Sequence, residues 1–302
     1  MLNRAGLITS AIRLGRQLPW RPAPHGAERW TGQAPAPCRP GFGQPVSHVA
    51  AHHHAVVMAT PQFDAEGLFG DDYLYFFAGH LEERSDAETD LIWRLLELQP
   101  GMEVLDLACG HGRIANRLAG RGCRVTGLDS TELFLDHARR DAAERGVTVE
   151  YVHGDMRELP WRDRFDAIVN WFTAFGYFDD PGNQRVLAEA AAALRPGGRI
   201  ALEMNNYLRL LRDYLPSVVV ERDGDLVIDQ HQLDPLAGRS LSTRTYLRAG
   251  RSRRVLYSVR MFGFPELRDW LRVAGFTQVA GYGEDGRPLT AESRRMIAAG
   301  RI

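Results

Sequence analysis

The chain has 302 residues, 44% hydrophobic and 25% charged, enough to bury a core in one large domain or two small ones. Its formal net charge is −1, so no global field draws it to nucleic acid or to an anionic membrane. All 37 basic residues are arginine, which excludes a lysine Schiff base, a pyridoxal-phosphate linkage and a P-loop lysine. Arginine without lysine also fits codon usage in a very GC-rich genome. The three cysteines, Cys38, Cys109 and Cys123, lack paired spacing, which argues against a disulfide framework or zinc site and points to a reducing, cytoplasmic setting. No run of 18 apolar residues is present to form a membrane helix.

Residues 1–57 stand apart. They carry seven prolines, six arginines and a single acid, Glu28, with no sustained apolar period. They read as a disordered or spurious extension, with translation starting at Met58. A targeting peptide fits less well, because the apolar stretch at 5–12 is short and no small-residue cleavage signal follows. The triplet His52-His53-His54 is read as incidental.

From 63 to 98 the apolar spacing is helical. Ser85 with Glu88 three residues on predicts a capping box that starts a second helix, and Pro100-Gly101 ends it. Strands at 104–108, 124–128, 147–152, 165–171 and 199–204 then alternate with helices at 112–121, 131–145 and 183–194. That order predicts an α/β fold with a parallel, doubly wound sheet. The alternation breaks between 217 and 261. Turn residues at Asp223-Gly224, Asp234-Pro235 with Gly238, and Ala249-Gly250 predict an antiparallel meander. Leu241, Thr243, Thr245 and Leu247 share one face there, and Val255, Tyr257, Val259 and Met261 another. A helix at 265–274 and strands near 276–282 and 294–299 close the chain.

The densest chemistry lies in Val104-Leu105-Asp106-Leu107-Ala108-Cys109-Gly110-His111-Gly112-Arg113, a strand running through a glycine turn into a helix. Such glycines let a ligand approach the backbone, and the helix start offers free N–H donors. Asp129 ends the next strand, about 20 residues on, a spacing that suits a carboxylate gripping ribose hydroxyls. By itself the glycine spacing also fits a dinucleotide-binding oxidoreductase. Asp106 argues against that reading, since it would crowd a pyrophosphate but suit an amino-bearing ligand. Asp155, in Val152-His153-Gly154-Asp155-Met156, stands over the same cleft and can accept from an exocyclic amine.

With 165–170 (Phe-Asp-Ala-Ile-Val-Asn), 194–198 (Leu-Arg-Pro-Gly-Gly) and Ala274-Gly275-Phe276, these residues resemble the class I S-adenosylmethionine-dependent methyltransferases from about residue 63 onward. The resemblance implies a seven-stranded Rossmann-like sheet with an N-terminal helical cover and an antiparallel β insertion after the fifth strand. The methyltransferase domain then spans 58–302: cover 58–100, cofactor-binding core 101–204, substrate insertion 205–262, closing elements 263–302. It implies S-adenosyl-L-methionine as cofactor. Gly110 and Gly112 then cradle its methionine end, and Asp106 holds the amino group. Asp129 binds the ribose, with Ser130 beside the adenine; Asp155 and the Met156 N–H meet the adenine, and Asn170 presents its carbonyl to the methionine. Ala108 stands where the family has its first glycine, and Cys109 packs beside the cofactor. The run at 170–178 points most closely to small-molecule methyltransferases, including amine methyltransferases of natural-product pathways.

The aromatic run Trp171, Phe172, Phe175, Tyr177 and Phe178 follows the fourth strand, where the active-site cleft opens. Trp171 and, from the helical cover, Tyr73 are assigned to the cofactor, and Tyr75 is a further candidate to close over it. His231 is the general-base candidate and Tyr177 the second catalytic candidate. The stretch 238–260 holds seven arginines and no acid, read as a solvated hairpin, with a phosphate-steering ribbon as the alternative. The expected activity is methyl transfer to a nitrogen or oxygen of a small molecule, without metal, nucleic acid or membrane partner. RNA or protein methylation and non-catalytic cofactor binding are the competing readings.

Overall fold

The computed structural model describes residues 63–302. The expectations placed on 1–57, on Cys38 and on His52–His54 lie outside the described residues.

Asp64 caps a short helix, α1 (Ala65–Leu68), through a 2.9 Å bond from the Gly67 N–H. The next helix, α2 (Asp71–Leu95), runs unbroken for 25 residues, with Asp71 and Asp72 in its first turn to match the helix dipole. The expected second start at Ser85 is therefore wrong. Nothing between 71 and 95 breaks the backbone, so the Ser85 hydroxyl instead donates to the Leu81 carbonyl at 2.8 Å, inside the helix. Glu88 does not reach back to a cap; it pairs with Arg84 at 2.6 Å and Arg113 at 2.5 Å.

The rest of the chain follows as β1 (Glu103–Leu107), α3 (Ala115–Gly120), β2 (Arg124–Asp129), α4 (Glu132–Glu144), β3 (Val149–His153), β4 (Phe165–Asn170), α5 (Asp180–Ala193) and β5 (Leu194–Asn205). Next come α6 (Tyr207–Arg212), β6 (Ser217–Arg222), β7 (Asp225–Asp234), β8 (Arg239–Arg248), β9 (Arg251–Arg260), α7 (Phe264–Val273), β10 (Thr277–Tyr282) and β11 (Arg295–Arg301). Seven strands form one sheet in the order β10-β11-β5-β4-β1-β2-β3. Strands β1 to β5 are parallel, whereas β11 runs antiparallel to β5 and β10 antiparallel to β11, so the sheet is mixed at that edge. The chain enters at β1, builds outward to β3 and returns to β4. A crevice therefore opens beyond the carboxyl ends of β1 and β4, where the direction of winding reverses.

Alternation along β1 sends Leu105 and Leu107 into one apolar layer, with Val186 and Leu187 of α5 and Leu267 and Leu271 of α7. Val104 enters the opposite layer, with Leu91 and Ile92 of α2 and Ile114, Ala115 and Leu118 around α3. Burial of each such side chain contributes about 1.5–3 kcal/mol. Asp106 shares the face of Val104, so a carboxylate is placed at the rim of an apolar layer by alternation alone.

Strands β6 to β9 form a separate antiparallel sheet with the three expected turns. Its inward face packs Val227, Tyr246, Val255 and Tyr257 against Leu68 and Phe76 of the helical cover. On β8 the buried side is Ser242, Arg244 and Tyr246; Leu241, Thr243, Thr245 and Leu247 do share a face, but it is the outer one. The short helix α6 has no buried residue and no sequence signal that announced it.

At the end of β1, Ala108 adopts φ +60°, a left-handed conformation that strains a residue with a Cβ. The alanine is therefore not neutral at this turn. Ala108→Gly is expected to stabilise the protein by about 1 kcal/mol, a Tm rise of about 2–4 °C. An unchanged or lowered Tm in thermal unfolding would show that the turn carries no such strain.

Candidate functional site

The crevice is a cavity of about 680 Å³, bounded by the β1 turn, the ends of β2 and β3, the loop after β4, helix α2 and the inward face of the second sheet. That volume accommodates a cofactor together with a small second ligand. Of the residues proposed from sequence, Asp106, Ala108, Cys109, Gly110, Asp129, Ser130, Asp155, Met156, Trp171, Tyr73, His231 and Tyr177 all line it. Gly112 and Asn170 do not.

Gly112 sits one layer back. At φ +80° its missing Cβ would lie 2.7 Å from the Ala138 Cβ, so the glycine lets α4 approach the turn. Asn170 is fully buried; its Nδ2 donates to the Leu107 carbonyl at 2.8 Å and ties the ends of β4 and β1 together. Its Oδ1 has no partner among the described residues.

Asp129 organises the turn. Its Oδ2 accepts from the Gly110 N–H at 2.8 Å and its Oδ1 from the Thr131 N–H at 2.9 Å, which joins the first loop to the start of α4. Asp106 is 2% exposed, and its Oδ2 has no hydrogen-bond partner among the described residues. Burial pushes its carboxyl up to about 7, against the opposing pull of Arg113 and the Ala115 N–H. A buried, unpaired carboxylate oxygen at the cavity edge is a place for a ligand cation.

Asp155 is already engaged. Arg157 grips it through Nη2 at 2.5 Å and Nε at 3.0 Å and stacks 4.1 Å over the Phe178 ring. Burial raises this carboxyl, but the Arg157 hydrogen bonds outweigh it and hold the group below the usual carboxylate range. A ligand amine at this position must share the carboxylate with Arg157. His111 borders the cavity as a neutral ring, since burial lowers it to about 4. His153 does not line the cavity; its Nε2 lies 3.0 Å from the Ser130 carbonyl oxygen. Cys109 is buried and its thiol pushed up by burial, so it remains protonated packing.

On the opposite wall, neighbouring strands bring His231 and Ser242 into register, with Nδ1 2.8 Å from the Ser242 Oγ. The His231 N–H donates to the Pro216 carbonyl at 2.8 Å, and the Tyr214 hydroxyl donates to the His231 carbonyl at 2.5 Å. Burial lowers the imidazole below its ordinary value, so it is neutral near pH 7. Tyr177 packs its ring 4.8 Å from Phe63, and burial raises its hydroxyl well above the usual phenol range. Tyr73 is likewise raised by burial, to about 12. Tyr75 does not line the cavity; it lies under the guanidinium groups of Arg222 and Arg248 at 4.4 and 4.0 Å.

Several lining residues went unread in the sequence. Arg244 is the main one. The arginine stretch 238–260 is neither a solvated hairpin nor a phosphate ribbon, because five of its seven arginines are tied down. Arg239 is 9% exposed and donates to Ser258 at 2.8 Å, and Arg244 forks onto Asp229 at 2.7 Å. Arg248 and Arg253 share Asp72, and Arg260 joins Asp180 and Glu266. Glu203 was also missed, although an acid inside the apolar run 200–204 is a signal. Its Oε2 accepts from the Phe172 N–H at 2.7 Å and its carboxylate pairs with Arg295. These bonds hold Phe172 and Thr173 at φ +63° and +57°, strained angles at the cavity mouth.

Residues 104–198 match the methyltransferase domain family. A ubiquinone biosynthesis O-methyltransferase of Coxiella burnetii is 33% identical over 121 residues, covering 39% of this chain and 49% of that protein. An uncharacterized protein of Mycobacterium tuberculosis is 32% identical over 127 residues, 39% of this chain and 45% of the relative. The matched stretch thus spans just under half the length of these relatives. Among solved structures, the CcbJ methyltransferase of Streptomyces caelestis superposes with a TM-score of 0.62 at 25% identity, covering 72% of this chain and 89% of that one. An S-adenosylmethionine-dependent methyltransferase of Clostridium acetobutylicum gives 0.66 at 15% identity, covering 76% and 98%, a likeness of fold.

Proposed function

We propose that this chain, a member of the class I S-adenosylmethionine-dependent methyltransferases, moves a methyl group from that cofactor to a nitrogen or oxygen of a small molecule. The observation that carries the reading is a single cavity with two chemically different ends. One end holds the unpaired Asp106 carboxylate, the Gly110 turn and Asp129; the other holds neutral His231 and protonated Tyr177.

The first end fits the cofactor. The orphaned Asp106 oxygen suits its amino group, the β1 turn exposes backbone to its methionine end, and Asp129 suits its ribose hydroxyls. Met156 and Leu128 supply apolar surface for the adenine beside Ser130 and Asp155. When bound, the cofactor supplies a methyl group on a sulfonium, already activated for displacement. The protein's own task is then alignment and exclusion of water. Trp171 and Phe178 add aromatic surface to the cavity wall, which favours a cation beside it. His231 takes the proton released by the acceptor at Nε2, because Ser242 engages Nδ1 and fixes the ring. Tyr177 keeps its proton and acts as a hydrogen-bond donor to the acceptor.

Incubation with labelled cofactor and a panel of amines, phenols and an RNA oligonucleotide tests this. Label is expected in a small amine or hydroxyl compound, and His231→Ala is expected to lower kcat for a hydroxyl acceptor by about 100-fold. Cofactor affinity should stay within about twofold in that variant. Label in the RNA alone would refute the small-molecule reading, and full activity of His231→Ala would refute the base.

A further inference from the structure

The inward face of the second sheet places a buried cation in the wall of the cavity. Arg244, on β8, is 9% exposed and lines the cavity two residues from Ser242. Asp229, its register partner on β7, takes the Nε and Nη2 edge with two bonds of 2.7 Å. Four aromatic rings surround the guanidinium: Tyr73, Phe77, Tyr246 and Tyr257 lie 4.9–6.0 Å from it. The pair is therefore rigid, locally neutral and oriented, with Nη1 outside the two-pronged contact. Fixed N–H donors on a charged group bind oxygen about twice as strongly as neutral donors do.

The charge around the cavity decides what kind of oxygen this donor takes. Arg113, Arg157, Arg244 and Arg295 line it, and each already has a carboxylate, in Glu88, Asp155, Asp229 and Glu203. Among the described residues, Asp106 and Asp129 line it without an arginine partner. An anionic ligand would meet cations that are already paired and acids that no arginine neutralises, at the cost of its own hydration. A neutral oxygen meets a donor and loses little.

We propose that Arg244, held by Asp229, recognises a neutral hydroxyl, ether or carbonyl oxygen on the methyl acceptor, and that this wall rejects acceptors carrying an anion at that position. The proposal rests on the cavity being the acceptor site. It makes Arg244 and Asp229 a specificity pair, distinct from the proton-handling His231.

The test uses the protein saturated with S-adenosylhomocysteine and three probes: 2-aminocyclohexanol, cyclohexylamine and 2-aminocyclohexanecarboxylate, with affinities from ligand-observed NMR titration. The alcohol is expected to bind at least about fivefold tighter than cyclohexylamine, and the carboxylate more weakly than either. Asp229→Asn frees the charge of Arg244 and is expected to tighten carboxylate binding by about tenfold or more. Arg244→Met should remove the advantage of the alcohol. Should that variant fail to bind S-adenosylhomocysteine, Arg244→Lys, which keeps the charge but not the fork, replaces it and should also lose most of that advantage. Equal binding of 2-aminocyclohexanol and cyclohexylamine, no gain of the carboxylate in Asp229→Asn, or no binding of any probe overturns the proposal. Failure of the unmodified protein to bind S-adenosylhomocysteine sinks the methyltransferase reading itself, which separates the two failures.

Discussion

Asp129→Ala is expected to weaken S-adenosylhomocysteine binding by at least about 100-fold, which is about 2.7 kcal/mol. The carboxylate does two jobs. It accepts from the Gly110 and Thr131 N–H groups at 2.8 and 2.9 Å, and so sets the shape of the loop. Under the proposed function it also receives the ribose hydroxyls, through charge-assisted bonds worth about 1.5–3 kcal/mol each. Alanine removes those bonds and strands two N–H groups, the buried one of Thr131 and the half-buried one of Gly110, at up to about 1–3 kcal/mol each in stability. Asp129→Asn, which keeps one acceptor, should fall between. Calorimetric titration of the folded variant reads the affinity and thermal unfolding the stability. A change below about fivefold in affinity contradicts the ribose assignment.

The second large effect is a pH dependence set by Asp106. Burial pushes this carboxyl up to about 7, so the unliganded site carries a proton below that pH. A ligand ammonium held there requires the carboxylate. Below about pH 7 the proton must leave first, and affinity for S-adenosylhomocysteine should fall about tenfold per pH unit, with a plateau above. The same shift acts on stability without ligand. The folded state holds this proton more tightly than the unfolded chain does. Its contribution is therefore complete below the ordinary aspartate range and is lost as pH rises through about 7. Asp106→Asn should bind weakly with a flat profile from about pH 5.5 to 8, and should lose this component of the pH dependence of stability. A wild-type affinity that does not change over that range contradicts the assignment.

The central sheet was legible because its signals are local. Strand alternation around Asp106, the glycines at 110 and 112 and the turn residues of the insertion each act within a few positions of themselves. The errors share one cause, which is that a local signature cannot say what a distant segment does. Ser85 and Glu88 have the spacing of a helix start, but the turn before them is already helical and Arg113, far along the chain, claims Glu88. Gly112 carries the expected residue type, yet helix α4 packs against it. The arginine stretch looked solvated because its acids, Asp72, Asp180 and Asp229, lie outside it. Strand alternation showed which residues of β8 share a face. It could not show that the polar face turns inward, because part of that face borders a cavity while the rest joins the apolar cluster under the helical cover.

Titration calorimetry of the unmodified protein with S-adenosylhomocysteine and, separately, with NAD tests the central claim most directly. One site per chain for S-adenosylhomocysteine and no heat of binding for NAD is the expected result. Binding of NAD, or no binding of S-adenosylhomocysteine, would contradict the account.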